Sequence, residues 1–236
     1  MIYLISPSKK MNISNPILEN VRINEYTAQI LEEINRLNFD QLKTKLAVND
    51  VIAKEAFDMF FKFDSNPVSK AIFSYTGEQY RSINPQSMTE EELSFLNEHV
   101  RILSGLFGLV KPFDNVKEYR LPMETKLFEN ETLYQFWHDY MINKLKDEDL
   151  IINLSSDEYR RVIDRDVINY KNVVFKEEID GKIRTVYGIK KVRGEFIRYI
   201  AQNHINSMED LYKVNFNGFT FFKENKYNII FIRKAQ

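Results

Sequence analysis

Residues 104–121 read SGLFGLVKPFDNVKEYRL. Gly105 and Gly108 lie three residues apart in this stretch and are two of only seven glycines in the chain. Glycine adopts positive φ at little cost and lets other backbone approach closely, so this spacing predicts a tight turn. Exposed N–H groups in such a turn can bind phosphate, whereas a packed turn would need glycine only for steric reasons. The residues alone leave both interpretations open.

Short apolar runs and amphipathic segments on both sides of this stretch set the fold class. Strands are predicted at residues 3–5, 71–75, 100–103, 150–154, 219–222 and 228–232, with a hairpin of 173–179 and 183–189 around Asp180-Gly181. Helices are predicted at 25–64 with breaks near Asn38 and Asn49, from a capping box at Thr89, at 133–145 and at 190–203. Since strands and helices interleave, we expect one α/β (mixed α+β) domain over residues 1–236, with a mixed sheet and flanking helices.

Composition excludes several classes of function. The 236 residues are 44% hydrophobic and include no cysteine, which excludes disulfides and thiolate metal sites. The three histidines are far apart in the sequence, so no metal site and no cofactor are expected. No apolar run approaches the roughly 20 residues needed to span a bilayer, and no signal peptide is evident, so we expect a cytoplasmic protein without a membrane partner. With 33 basic and 34 acidic side chains, a polyanion-binding surface requires local segregation of charge.

Three further polar clusters are candidates for chemistry. The first, SPSKK at residues 6–10, follows a predicted strand, and open α/β sheets usually bind ligands at that end; a solvated basic turn is the alternative. The second, NLSSDEYRR at 153–161, leads from a strand into a predicted helix start, which favours anions or plain acidic side chains. The third, residues 182–204, holds six Lys and Arg side chains and one acid, which is typical of phosphate contact or of a solvated helix face.

Together these segments resemble the YaaA family of bacterial peroxide-stress proteins. The segments that carry the resemblance are LISPSKKMN (4–12), SGLFGLVKPFDNVKEYRLPM (104–123), LYQFWHDYMINKL (133–145), INLSSDEYRRV (152–162) and KKVRGEFIRYI (190–200). The resemblance implies a single compact domain with a helix-hairpin-helix-like element and a basic cleft. It also implies binding of double-stranded or branched DNA without sequence preference, survival of peroxide and a low level of unincorporated iron. It brings no established reaction.

The resemblance and the charge pattern select candidate residues for binding nucleic acid or a small anion. They are Ser6, Lys9, Ser104, Gly105, Gly108, Arg120, Lys190, Lys191, Arg193 and Arg198. The sequence departs from the family pattern at Pro122, where an acid is usual and Glu124 follows two residues later. It also departs at Ser155, where a small apolar residue is usual, and at Lys10, where a hydroxyl is common.

Two hypotheses for function follow. In the first, the protein is a non-catalytic DNA-binding protein of the oxidative-stress response, whose glycine turn and basic side chains hold phosphates. In the second, it is an enzyme acting on a small phosphorylated or nucleoside-like substrate, with Lys9, Glu158 and Tyr159 as acid–base groups. Direct iron storage is least favoured because no Glu-x-x-His pair occurs, so any effect on iron would be indirect. The first hypothesis is preferred, since no reaction comes with the resemblance.

Overall fold

The computed structural model describes residues 1–129 and 131–234. Within these ranges the strands are β1 (Ile2–Ile5), β2 (Ser69–Lys70), β3 (Val100–Ser104), β4 (Gly108–Val110), β5 (Asn115–Val116), β6 (Ile151–Asn153), β7 (Tyr170–Ile179), β8 (Lys182–Thr185), β9 (Asn215–Phe216), β10 (Phe219–Glu224) and β11 (Asn228–Lys234). The α-helices are α1 (Glu25–Asn35), α2 (Phe39–Leu46), α3 (Asp50–Phe61), α4 (Ala71–Ser74), α5 (Glu78–Ile83), α6 (Glu90–His99), α7 (Leu133–Phe136), α8 (His138–Leu145), α9 (Asp157–Arg160), α10 (Ile189–Gln202) and α11 (Met208–Tyr212). The strands and helices alternate along the chain, which confirms the predicted mixed α/β fold.

One mixed sheet organises the chain. Its strand order is β4-β3-β1-β6-β7-β11-β10-β9, and β8 pairs with β7. The five strands from β3 to β11 in this order are parallel to their neighbours, whereas β4, β8, β9 and β10 add antiparallel pairs at the margins. All four residues of β1 are buried, as expected for a central parallel strand covered on both faces. The carboxyl ends of β3, β1 and β6 therefore meet at one edge of the sheet.

The helix boundaries follow local capping signals. Asn38 and Asn49, where the sequence predicts breaks, are the N-caps of α2 and α3, and each side chain accepts a hydrogen bond from a backbone amide of the first turn. Thr89 and Glu92 form the predicted capping box at the start of α6. Asp180 and Gly181 both have positive φ, at 51° and 69°, and join β7 to β8 as predicted.

Two predicted elements differ in the structure. Residues 71–75 were expected to form a strand, but Ala71–Ser74 are helical because the amides of Ala71 and Ile72 donate to the carbonyls of Asp114 and Pro112. A short buried apolar run has no periodicity that separates a strand from a helix. The second strand of the β7–β8 hairpin ends at residue 185 rather than 189, because Gly188 at φ 70° already serves as the N-cap of α10.

The stretch 104–108 is the turn of a β-hairpin and not part of a helix-hairpin-helix element. Strands β3 and β4 flank it and pair in antiparallel fashion, with Ser104 opposite Gly108. The amides of Leu106 and Phe107 both donate to Ser104 Oγ, which fixes the turn locally. The helix-hairpin-helix expectation is therefore wrong for this segment, because the residue pattern that specifies a tight glycine turn serves a strand pair equally well.

Aromatic side chains fill the core on both halves of the sheet. Phe175 of β7 and Phe231 of β11 pack against Phe196 of α10, and Phe219 of β10 packs against Phe175, with ring centroids 5.1–5.9 Å apart. At the other end, fully buried Trp137 donates its indole N–H to the Gly105 carbonyl at 3.0 Å. This bond joins the α7–α8 region to the β3–β4 hairpin and closes that side of the sheet.

Candidate functional site

The carboxyl ends of β1 and β6 are tied together by two serines. The Ser156 amide donates to Ser6 Oγ at 2.8 Å, and the two hydroxyl oxygens are 3.2 Å apart. The Tyr80 hydroxyl of α5 donates to the Ser6 carbonyl at 2.9 Å, so that helix is held against the same edge. Ser6, a predicted binding residue, therefore organises this edge of the sheet. We call these strand ends, together with α5 and with α10 that packs on it, the strand-end site.

Three of the predicted residues, Lys9, Glu158 and Arg120, meet at one side of the strand-end site. Lys9 Nζ lies 3.2 Å from Glu158 Oε2 and 3.9 Å from Glu124 Oε1, and an Arg120 N–H donates to the Lys9 carbonyl at 3.1 Å. Glu124 thus brings a carboxylate to Lys9 although Pro122 occupies the family's acidic position. The pair is partly shielded, since the Glu158 side chain is 21% exposed and that of Lys9 43%.

Two polar atoms of the residues that contact Lys9 have unused hydrogen-bonding capacity. Glu158 Oε1 and Arg120 Nε are both buried, and neither has a hydrogen-bond partner among the residues that the structure describes. Burying a charged group without its full set of hydrogen bonds is unfavourable. A ligand with an acceptor for Arg120 and a donor for Glu158 would remove that cost, so the pair is suited to bind a polar molecule.

Buried phenols lie behind these charges. The Tyr119 hydroxyl is 2.7 Å from Ser104 Oγ and 2.9 Å from the Tyr75 hydroxyl. Burial raises the pKa of Tyr119 to about 12, although its hydrogen bonds with Ser104 and Tyr75 act in the opposite direction. Burial, and secondarily the Glu158 carboxylate, raises the pKa of Tyr159 far above its ordinary value. Tyr159 is therefore protonated at neutral pH, where its O–H is a hydrogen-bond donor.

The glycine turn does not present its amides to a ligand. Ser104, Gly105 and Gly108 are all buried. A methyl group on Gly105 would lie 2.2 Å from the Leu121 carbonyl oxygen, and one on Gly108, which has φ +75°, would lie 2.7 Å from a Trp137 ring carbon. The steric interpretation describes this turn, and the expected phosphate contact through its N–H groups is wrong for this arrangement, because the turn is covered by the protein itself.

The predicted basic residues of α10 have different environments. Lys190 and Lys191 are exposed, and Lys191 lies 3.7 Å from Glu195. Arg193 is partly buried, and this burial lowers its pKa while the Asp157 carboxylate partly offsets that effect. Arg198 donates to the carbonyls of residues 83, 84 and 87, so it anchors α10 to the end of α5. Its predicted anion-binding role is unsupported, because its guanidinium already has acceptors within the chain.

Sequence analysis missed Gln79 and did not assign a role to Tyr80. Gln79 is only 7% exposed, and its Nε2 has no hydrogen-bond partner within residues 1–129 and 131–234. Both residues lie on a six-residue helix that carries no family motif, so no signal at their own positions marks them. The available signal is Gly194 of the KKVRG segment, since a methyl group there would lie 2.2 Å from the Gln79 carbonyl oxygen.

The described part of the chain gives two further negative findings. Among those residues no three His, Asp or Glu side chains cluster closely enough to hold a metal ion. No helix in the same ranges has both the length and the apolar character to cross a membrane.

Comparison with known proteins identifies the family. The family model described as peroxide stress protein YaaA matches residues 1–225. The chain belongs to the YaaA family. The resemblance predicted from the sequence motifs is therefore confirmed, and the match supports a stress-response role.

Similar proteins extend over nearly the whole chain. A UPF0246 protein of Desulfitobacterium hafniense is 34% identical over 244 residues, covering 98% of this chain and 97% of that protein. UPF0246 proteins of Finegoldia magna and Clostridioides difficile are each 35% identical, with 99% and 97% of this chain covered and 98% and 96% of their own lengths. This YaaA-family chain thus aligns with these relatives over nearly its whole length, including the segments that form the strand-end site.

Proposed function

We propose that this YaaA-family protein acts in the peroxide-stress response by binding double-stranded or branched DNA without sequence preference. The carrying observation is the arrangement of Lys190 and Lys191. They are adjacent and exposed in the first turn of α10, and Lys190 forms no ion pair with any described residue. An exposed basic helix start on a chain of net charge −1 is the local segregation of charge that phosphate binding requires.

The contact set differs from the one that the sequence suggests. A duplex can reach three cations. They are exposed Lys190 and Lys191 at the start of α10 and partly exposed Lys9. The glycine turn and Arg198 are excluded because they are engaged within the fold. Binding through ammonium groups to phosphates carries no base information, which accounts for the lack of sequence preference.

Fluorescence anisotropy with labelled duplex and junction DNA over a salt series tests the proposal. We expect log K to fall linearly with log salt, with a slope of about −0.9 per phosphate contacted. Lys190→Glu/Lys191→Glu should abolish most binding, whereas Lys54→Glu/Lys62→Glu, the same charge change at exposed positions of α3 and its C-cap, should affect it weakly. Equal effects from the two double variants would contradict a defined DNA surface.

We further propose that bound protein limits iron-driven damage indirectly, by occupying DNA rather than by storing iron. Plasmid exposed to Fe(II) and peroxide should be nicked less with wild-type protein than with Lys190→Glu/Lys191→Glu. Protection that is equal for both proteins, together with stoichiometric Fe(II) uptake in equilibrium dialysis, would show that the iron itself is bound.

A second function is favoured by the Lys9–Glu158 pair. Glu158 uses one carboxylate oxygen for Lys9 and leaves the other buried and unbonded, which suits it to accept a proton or a hydrogen bond from a ligand. Burial raises the pKa of Tyr159, so its hydroxyl would serve as a hydrogen-bond donor. This arrangement supports an enzyme acting on a small phosphorylated or nucleoside-like substrate. Thermal-shift screening of nucleosides and nucleoside monophosphates tests this. Stabilisation of wild type that Glu158→Gln removes would support it, and no shift with any of these compounds would count against it.

A further inference from the structure

Two buried hydrogen-bond donors, on neighbouring helices, have no acceptor in the described part of the chain. Gln79 Nε2 on α5 and Arg193 Nε on α10 are each buried without a partner among the residues described. Leaving such donors unsatisfied is unfavourable, and more so for a charged group. Because the two unsatisfied donors are neighbours, one missing acceptor explains them better than two independent packing defects do.

The backbone brings these two residues together. At Gly194 the two helices approach so closely that an added methyl group would lie 2.2 Å from the Gln79 carbonyl oxygen and 2.8 Å from Ser82 Cβ. Arg193 precedes Gly194 directly, so its backbone lies beside that of Gln79. Glycine at this crossing therefore sets the distance between the two donor-bearing residues.

The same two residues belong to a ring of neighbouring elements at the strand ends. Tyr80, next to Gln79, donates to the Ser6 carbonyl, and Ser6 Oγ accepts from the Ser156 amide. Asp157 follows Ser156 and is the carboxylate that acts electrostatically on Arg193. The ring thus runs from α5 to the end of β1, to the start of α9, to α10 and back to α5. The buried donors lie on its two helical members.

The charge balance inside this ring calls for an anion. No carboxylate in the described ranges lies within ion-pair distance of Arg193, and Asp157 is itself bonded to Arg160 at 2.7 Å. Arg193 is partly buried and its buried Nε has no acceptor, which is unfavourable for a charged group, and an oxyanion accepts from the guanidinium fork with short, charge-assisted bonds. Gln79 adds a neutral donor from a different helix. Donors that arrive from different directions fit the non-planar oxygens of a tetrahedral phosphate better than a planar carboxylate.

We propose that Gln79 and Arg193 form a partly buried subsite for one phosphate group, at the crossing of α5 and α10 in the strand-end site. The phosphate is carried by a free small molecule or by the end of a DNA strand. This inference goes beyond binding of the DNA backbone. Exposed Lys190 and Lys191 at the start of α10 account for that binding, and Gln79 has no part in it.

Titration of the full-length protein with inorganic phosphate, followed by ³¹P NMR and thermal shift, tests the subsite without DNA. We expect saturable binding that Arg193→Gln weakens about tenfold or more and Gln79→Leu weakens about fivefold, from the loss of a charged and a neutral hydrogen bond. Arg193→Lys keeps the charge but not the fork, and should bind between wild type and Arg193→Gln. Arg184→Gln, which removes a charge from exposed β8, is the matched control and should bind like wild type.

Oligonucleotides with a 5′-phosphate or a 5′-hydroxyl distinguish the two sources. Tighter binding of the phosphorylated strand that Arg193→Gln abolishes assigns the subsite to DNA ends. Phosphate binding with no preference between the two strands assigns it to a small molecule. Circular dichroism of each variant verifies the fold. No saturable phosphate binding and no 5′-phosphate preference in wild type, or unchanged binding in both folded variants, would overturn the proposal. Lys190→Glu/Lys191→Glu should retain phosphate binding, so failure of the DNA proposal is recognised separately.

Discussion

Two glycine turns of this protein have opposite environments. The turn between β3 and β4 is buried, and a methyl group on Gly105 would lie 2.2 Å from a backbone oxygen. The turn between β7 and β8 is exposed, and a methyl group on Gly181 would meet nothing within 4 Å, although φ there is +69°. Glycine is therefore required at residue 105 for space and at residue 181 for backbone conformation. Sequence shows the same residue in both places, and only the surroundings separate the two requirements.

The comparison is most directly tested at Gly105. Gly105→Ala should reduce the free energy of unfolding by about 3 kcal/mol or more, because the new methyl group meets the Leu121 carbonyl and backbone cannot move aside as a side chain can. Urea denaturation followed by circular dichroism measures the change. A loss below 1 kcal/mol would show that this turn has free space and that its amides are open to ligands after all.

A smaller loss is expected from the phenol behind the buried turn. Tyr119→Phe removes the hydroxyl shared by Ser104 Oγ and the Tyr75 hydroxyl and leaves both without that partner. We expect a loss of about 1–2 kcal/mol in urea denaturation. Tyr187→Phe, at a side chain that is 97% exposed, is the control and should stay within about 0.5 kcal/mol of wild type. Equal losses in the two variants would refute a structural role for the buried network.

These two regions also show which parts of the fold are predictable from sequence. The helix starts after Asn38, Asn49 and Thr89 were predicted because a capping side chain bonds amides within three residues of itself. The helix at 71–74 was not, because its first amides bond carbonyls of residues 112–114, some forty positions away. Periodicity and capping describe local bonds, and that segment is decided by a distant one.

The candidate site divides in the same way. Ser6, Lys9 and Glu158 could be selected from the sequence because each follows a buried parallel strand. The carboxyl ends of parallel strands lie at the same edge of a sheet, where ligands usually bind. Gln79 could not, since its position depends on how closely α5 and α10 cross at Gly194. The buried state of the glycine turn was also beyond prediction, because Trp137 and Leu121, which cover it, come from other parts of the chain.

The exposed turn should respond to substitution in a different way. Gly181→Ala should cost about 1 kcal/mol, from the strain of positive φ alone, and Gly181→Asn should cost less because asparagine tolerates that conformation. Thermal unfolding of the two variants measures the difference. At Gly105 a larger side chain has no such remedy. If Gly181→Asn were as destabilising as Gly181→Ala, backbone conformation would not be the reason for glycine at this turn.

The smallest effect is expected one residue after Trp137, at partly exposed His138. Hydrogen bonds to Asp139 and then Asp164 raise the pKa of His138 in the folded state. A raised folded pKa stabilises the protein below the unfolded pKa of about 6.5, and that contribution disappears as the pH rises through the folded value. Because solvent screens this pair, His138→Gln should lower stability by only a few tenths of a kcal/mol near pH 5.5 and by nothing near pH 9.

Urea denaturation of wild type and His138→Gln at the two pH values measures this difference. Gln135→Ala, one turn earlier on the chain, removes a neutral capping side chain and should give a loss that is independent of pH over the same range. A pH-independent loss in His138→Gln would mean that the imidazole acts through packing and not through its charge. A loss that grows with pH would mean that the folded state favours the neutral ring, contrary to its position between two carboxylates. Trp137, the preceding residue, provides the contrast. Its buried indole bonds to the glycine turn and does not titrate, so its contribution to stability should be the same at both pH values.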